Sequence, residues 1–286
     1  MKKIKIKRTG FKAIDPLPDK KKLEKYYRDK YFKKSKSYNY SLSNIEKDFI
    51  KFISLAKIFM VKKYLKNLKN KKILDIGAGQ GTFLYSVKNH FKSSLGVDFS
   101  INNLKKKSGT NIKFISANPE KFIEKNLSEF DVITLNNVLE HVTDPTSFMK
   151  KINKNIKKKS YIIVTVPNDF SDLQKETNKK ARRKKYWLCP PEHLNYFNKS
   201  NFINFVNSQK FKVLDGIADF PIELFILKKE FDYTNNPKIG KKIHLLRCEI
   251  FSYLLKTKKT GEFYKLLKAF YDLDIGRDNI FLLKKN

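Results

Sequence analysis

Residues 72–98 constrain the fold more than any other part of the chain. A short apolar run, Ile73-Leu-Asp-Ile76, carries one acid, Asp75, just ahead of three alternate glycines, Gly77, Gly79 and Gly81. The stretch from Thr82 to Phe91 suits a helix, and a second apolar run, Ser94-Leu-Gly-Val-Asp98, ends in another acid. Strand, tight turn, helix and strand in that order are the opening unit of a parallel sheet. Open sheets of this kind bind nucleotide-like ligands outside the carboxyl ends of their strands.

The spacing narrows the ligand. A dinucleotide fingerprint is G-x-G-x-x-G with a pyrophosphate on the helix N-terminus, whereas this turn reads G-x-G-x-G. Asp75 beside the turn repels a pyrophosphate and attracts an ammonium group. No Lys-Ser/Thr pair follows the glycines, which excludes a phosphate-binding P-loop. Asp98 stands about 20 residues past the turn, where a carboxylate accepts from ribose hydroxyls. A nucleoside with an amino group, a positive charge and no phosphate fits both acids, and S-adenosylmethionine (SAM) is such a molecule.

Beyond this unit, strands are predicted at 72–76, 94–98, 112–116, 130–135 and 160–166, with helical stretches between. This alternation indicates a parallel sheet covered on both faces. Asp144 and Pro145 read as the cap and first residue of a helix. Phe211 to Ile217 and Asn279 to Leu283 read as two further strands, the last antiparallel. The expected fold is therefore α/β, Rossmann-like and doubly wound. Its mostly parallel seven-stranded sheet has an antiparallel last strand, with N-terminal helices and a helical insertion before that strand. Residues 1–45 read as a basic, Tyr-rich extension in which Lys20 to Phe32 suits a helix. Residues 46–286 read as the main domain, with a lid-like insertion at 168–199 and a helical insertion at 222–272. Asn44 is the expected cap of a helix running to about Leu68. Leu245, Leu246, Ile250, Leu254, Leu255, Phe263, Leu266, Leu267 and Phe270 are the expected apolar stripe of the second insertion.

The formal charge is +34, yet only six of the 62 basic residues are arginine. Lys, Asn, Ile, Phe and Tyr share A/T-rich codons, and the lysines are spread over every segment, so coding bias accounts for the excess. Nucleic acid is not the expected partner, although a positive field favours an anionic acceptor. The two cysteines, Cys189 and Cys248, form neither a disulfide framework nor a zinc pattern. No apolar run approaches a membrane span, and the basic start lacks the hydrophobic stretch of a secretory signal. A cytoplasmic enzyme is expected.

Two more segments carry a resemblance: Phe130-Asp-Val-Ile-Thr-Leu-Asn-Asn-Val-Leu-Glu-His-Val-Thr-Asp-Pro145 and Pro190-Pro-Glu-His-Leu-Asn-Tyr-Phe197. With the glycine turn, they make the chain resemble the class I SAM-dependent methyltransferases. The segments look like those of small-molecule enzymes, and the overall layout is similar to methyltransferases often found in surface-polysaccharide and sugar-modifying pathways. The resemblance implies SAM as cofactor, held by Asp75, Gly77, Ala78, Gly79 and Gly81 at its methionine end and ribose. It places Asp98 on the ribose hydroxyls and Phe99 near adenine. Asn118 stands where the family usually has an Asp on the adenine amino group, and Asn136 lines the methionine or acceptor side.

Methyl transfer to a hydroxyl needs in-line positioning and a group to take the proton. His141 and His193 follow the fourth and fifth strands and are the candidate catalytic residues, with His193 preferred as general base. His90 and His244 are expected to be structural and solvent-facing, respectively. Some methyltransferases of quinone rings and nucleic acid ends hold Mg²⁺ with Glu-x-x-Glu-His and a later His. Here Asn137 replaces the first carboxylate, so no metal is expected. Lys179 to Lys185, with Arg182 and Arg183, could grip a phosphate on the acceptor, and Tyr186 and Trp187 could stack on a sugar or pack the insertion. The expected activity is methylation, at oxygen, of a small-molecule, glycan or nucleotide-sugar acceptor. The alternative is an RNA-directed methyltransferase or RNA-binding protein using the basic surface.

Overall fold

Residues of alternating direction build the central layer, and this fixes which helices lie on each side. The computed structural model describes residues 3–19, 23, 26, 42–99, 111–125, 127–181, 185–234, 236–257 and 259–286. In chain order its elements are β1 (Lys3–Ile6), β2 (Lys12–Asp15), α1 (Asn44–Lys62), β3 (Lys72–Ile76), α2 (Thr82–Val87), β4 (Ser93–Asp98), β5 (Ile112–Ser116), α3 (Pro119–Phe122) and β6 (Val132–Asn136). There follow α4 (Pro145–Asn155), β7 (Tyr161–Pro167), α5 (Asp172–Ala181), β8 (Asn195–Tyr196), α6 (Lys199–Ser208), β9 (Phe211–Ala218), α7 (Pro237–Lys256), α8 (Thr260–Asp272) and β10 (Asp278–Lys285).

Seven strands form one sheet in the order β5-β4-β3-β6-β7-β10-β9. The five from β5 to β7 are mutually parallel, and β10 is antiparallel to both β7 and β9. Because side chains alternate along a strand, Ile73 joins one buried cluster and Leu74 and Ile76 the other. The first cluster takes in Phe52 and Ala56 of α1, Phe251 of α7 and Leu267 of α8. The second takes in Phe148 and Ile152 of α4 and Phe202 and Phe205 of α6. All seven residues of β7 are buried, as a strand covered on both faces requires. The doubly wound α/β architecture with an antiparallel last strand is thus the fold.

Local chemistry moves some boundaries. Ser43, not Asn44, caps α1: its backbone N–H donates to Glu46 Oε2 at 2.9 Å, and its hydroxyl accepts from the Glu46 N–H. This reciprocal box satisfies two otherwise unpaired donors. The helix stops at Lys62 rather than near Leu68, and Asn67, at φ 53°, turns the chain into a 3₁₀ turn before β3. Helix α4 begins as expected, with Asp144 Oδ1 accepting the Ser147 N–H at 3.0 Å and Pro145 in its first turn.

The N-terminal segment contains a hairpin that the composition hid. β2 pairs antiparallel with β1 and with β8, so the hairpin and the 168–199 insertion share a three-stranded sheet. Phe11 and Ala13 lie in the same buried cluster as β7 and α6, and the Phe11 ring is 4.9 Å from that of Phe197. Leu23 and Tyr26 are helical, and the rest of the helix expected at Lys20 to Phe32 lies outside the described residues. Within 222–272, two 3₁₀ turns precede α7 and α8. Ile243, Cys248, Phe251, Phe263 and Leu267 are buried, whereas Leu246 and Leu266 face solvent, against expectation. Among the described residues, no helix is long and apolar enough to cross a membrane.

Candidate functional site

The glycine turn sits at the carboxyl edge of β3, with Gly77, Gly79 and Gly81 all in the left-handed region, at φ 73°, 53° and 70°. A methyl group at Gly81 would lie 2.5 Å from the Phe114 ring, while one at Gly79 would meet nothing within 4 Å. The first position is closed by packing; the second is open. The N–H groups of Gly77 and Ala78 donate to the Val97 carbonyl at 2.8 and 3.1 Å and pin the turn to β4. Asp98 is buried at the end of β4, and its Oδ2 accepts the Gly79 N–H at 2.8 Å. Phe99 is 48% exposed directly after it.

Asp75 is buried beneath the turn. Its Oδ1 accepts from Thr134 Oγ1 at 2.5 Å and from Asn136 Nδ2 at 2.9 Å. Burial pushes its carboxyl up to about 6, against the pull of Thr134, Lys57 and Asn136. Lys57, on α1, donates to Asn136 Oδ1 at 2.5 Å. Burial brings its ammonium down to about 8, while Asp75, Asp278 and Asp219 pull it up. Asn136 therefore bridges a buried cation and a buried acid, with Thr165 Oγ1 also donating to its Oδ1 at 3.3 Å. Nothing local in the sequence distinguishes Lys57 from its many lysine neighbours. Its place on α1 four residues after Ile53 and three and four before the buried Met60 and Val61 was the available signal.

Asn118 has other work. Its Oδ1 accepts the Glu120 N–H at 2.8 Å and the Lys121 N–H at 3.4 Å, capping α3. The amide oxygen expected to meet adenine is already engaged.

The histidines converge beyond β6 and β7. The rings of His141 and His193 are 5.0 Å apart in an edge-to-face arrangement. Ligand atoms of Glu140, His141 and His193 all lie within 4.8 Å of one another. His141 Nδ1 is 2.7 Å from the Glu192 carbonyl oxygen. A carbonyl only accepts, so Nδ1 carries the proton and Nε2 presents a lone pair, 4.0 Å from Glu140 Oε1. Glu140 is buried, with neither oxygen in a hydrogen bond of good geometry among the described residues, and burial pushes its carboxyl up to about 8 against the pull of its own backbone N–H and the Asn137 side chain. His193 is brought down to about 3 by burial, with the fields of His141 and Arg277 adding to it. A base held that low takes a proton poorly at neutral pH; burial lowers His141 as well, against the pull of Glu192, so what distinguishes His141 is the tautomer that the Glu192 carbonyl fixes. One carboxylate and two imidazoles, one of them oriented by a backbone carbonyl, are donors suited to a transition metal or zinc more than to magnesium.

The other expectations separate. His90 lies after α2, away from this cluster. His244 is half-buried and held on both ring nitrogens: its Nε2 is 3.2 Å from Glu46 Oε1 and its Nδ1 accepts from Arg247 at 2.9 Å, tying α7 to α1. Trp187 packs the insertion, 3% exposed, with its ring edge-on to Phe170 and Tyr186. Arg182 and Arg183 lie outside the described residues.

A doubly wound sheet in this order, with a glycine turn and two buried acids at its carboxyl edge, defines the class I SAM-dependent methyltransferases. The chain belongs to the methyltransferase domain family, whose model matches residues 47–215, more than half its length. It is similar to the ubiquinone biosynthesis O-methyltransferase of Pelagibacter ubique, 32% identical over 121 residues, covering 40% of this chain and 50% of that one. To the Coxiella burnetii protein of the same name it is 27% identical over 196 residues, covering 60% and 76%. The chain spans about half the length of the first curated relatives it matches. A SAM-dependent methyltransferase from Archaeoglobus fulgidus shares the fold, with a TM-score of 0.51 and 18% identity over 90% of this chain and all of that one.

Proposed function

We propose that this protein transfers the methyl group of SAM to an oxygen of a small-molecule acceptor, a glycan or nucleotide sugar in the finer reading. The observation that carries the cofactor half is the pairing of Asp75 and Lys57 beneath the glycine turn. A methionine moiety is zwitterionic: its ammonium faces Asp75, and its carboxylate faces Lys57. Asp98, fixed by Gly79, accepts from the ribose hydroxyls, and Phe99 lies against adenine.

In the chemical step the acceptor oxygen attacks the methyl carbon as the carbon–sulfur bond breaks. The bonding pair passes to sulfur, giving neutral S-adenosylhomocysteine (SAH), and the hydroxyl proton leaves to a base. His141 serves as that base through Nε2, its tautomer fixed by the Glu192 carbonyl, and Glu140 alongside adds a counter-charge once it ionises, near pH 8. His193 stays neutral and orients the acceptor. The O-methyltransferase names of the relatives support oxygen as the target. The glycan reading rests on the sequence resemblance.

Calorimetry with SAM and SAH tests the cofactor half. Asp98→Ala is expected to weaken SAM by about 1–3 kcal/mol, the cost of orphaned hydrogen bonds, and unchanged affinity sinks the ribose placement. Glu140→Gln and His141→Asn are expected to lower kcat about 10²–10⁴-fold with SAM affinity intact.

A second reading is favoured by the clustered ligand atoms. A divalent cation held by Glu140, His141 and His193 would acidify the acceptor hydroxyl. Loss of activity on chelation, restored by one added metal, supports it; full activity in chelator removes it.

A further inference from the structure

Near the histidine cluster lies a second group of buried polar atoms that methyl transfer itself does not use. Arg277 leads from α8 into β10, and its Nη1 is 2.9 Å from Asp169 Oδ1 and 3.6 Å from Glu223 Oε1. Gln174 Nε2 donates to the same Glu223 oxygen at 3.0 Å. Each carboxylate therefore has one oxygen engaged. The other two, Asp169 Oδ2 and Glu223 Oε2, are buried without a hydrogen-bond partner among the described residues. The residues themselves are 1% and 2% exposed. His193 Nδ1 and Trp187 Nε1 are orphaned in the same way. The Asp169 N–H donates to the Phe197 carbonyl at 2.6 Å, and the Tyr196 ring lies 6.0 Å from that of Phe170 and 6.4 Å from that of His193, so this group adjoins the cluster placed at the reacting oxygen.

Unpaired buried acceptors are costly, and proteins keep them where a ligand or ordered water supplies the missing donors. Two carboxylates against one guanidinium leave the site short of donors and rich in acceptors. A phosphate or carboxylate would be repelled here, and an apolar ring would leave both oxygens stranded. Hydroxyl groups match. One guanidinium nitrogen reaches both carboxylates, so the two orphaned oxygens belong to one site. Together with the reacting hydroxyl they call for at least three hydroxyls, more than a simple phenol carries.

We propose that Asp169, Glu223 and Arg277 form an acceptor subsite for a neutral polyhydroxylated ring. Two non-reacting hydroxyls donate to Asp169 Oδ2 and Glu223 Oε2, and Arg277 holds the two carboxylates in register. The proposal rests on the methyl-transfer reading for the location of the reacting hydroxyl, but its test reads binding rather than turnover.

The test is saturation-transfer NMR on the SAH complex, with methyl hexopyranosides and catechol as probes. Glycoside contact is expected in the unaltered protein, at least tenfold weaker in Glu223→Gln and in Asp169→Asn. SAH affinity and melting temperature should be unchanged in Glu223→Gln, which keeps the side chain's shape. Catechol binding with no glycoside binding overturns the subsite, as does glycoside affinity unchanged in both variants. Should both variants fail to fold, the glycoside-over-catechol preference of the unaltered protein still decides. If SAH does not bind, the cofactor reading falls separately, and glycoside contact with the ligand-free protein is then the deciding measurement.

Discussion

The proposed cofactor half and the proposed acceptor half of the cleft are built in opposite ways. Asp75, the glycine turn and Asp98 come from one stretch of 24 residues, joined by backbone hydrogen bonds between β3 and β4. The residues proposed for the acceptor come from the loops after β6 and β7, the stretch before the two-residue strand β8, the turn at Ile222–Leu227 and the entry to β10, with the N-terminal hairpin paired to β8. A ligand common to a whole class can be held by one local unit. A ligand particular to one enzyme is held by parts that only the completed fold brings together.

The largest expected effect tests whether the hairpin belongs to that second construction. Phe11→Ala removes a buried ring packed on Phe197 and Phe205 and is expected to cost about 3–5 kcal/mol in chemical denaturation. A cost under about 1 kcal/mol would make residues 1–45 the detachable extension that their composition suggests. Next, Gly81→Ala combines a left-handed backbone with a contact against the Phe114 ring, for an expected loss of about 2–4 kcal/mol. Gly79→Ala carries the backbone cost alone, about 1–2 kcal/mol. Equal losses at the two positions would refute the difference drawn between a packed and an open side of the turn.

The remaining effect is read in pH. Asp75 titrates near 6 in the folded chain against an ordinary value of 3.8, so between about pH 4 and 6 the folded state holds a proton that the unfolded state has lost. Stability contributed by this group is therefore complete below about pH 4 and falls as pH rises toward 6. SAM binding runs the other way, because its ammonium needs the carboxylate. Its affinity should drop up to about tenfold per pH unit below 6. Asp75→Asn should flatten both profiles. A SAM affinity flat from pH 5 to 7 in the unaltered protein would remove Asp75 from the ammonium.

What could be read beforehand follows the same division. β3 and β5 occupy the predicted residues because apolar runs bounded by polar turns leave little choice. Asp75 and Asp98 were legible from their distance to the glycines. The hairpin was not, although Lys3-Ile-Lys-Ile6 alternates as a strand should, because charge drew attention away from period. Lys57 was hidden among so many lysines that only its burial marks it. Asp169, Glu223 and Arg277 were beyond reach: an ion pair spanning 108 residues leaves no local trace. His193 shows the limit of reasoning from residue type, since the same imidazole is a good base in water and a poor one where burial and a guanidinium hold it neutral.

The placement of β10 has a consequence for how the molecule comes into being. It lies between β7 and β9, although it follows both in chain order. During synthesis, therefore, β9 leaves the ribosome with no neighbour to pair with, and β7 waits as an open edge. Arg277 arrives with β10, so with the roles proposed above a nascent chain completes its nucleoside pocket well before its acceptor subsite.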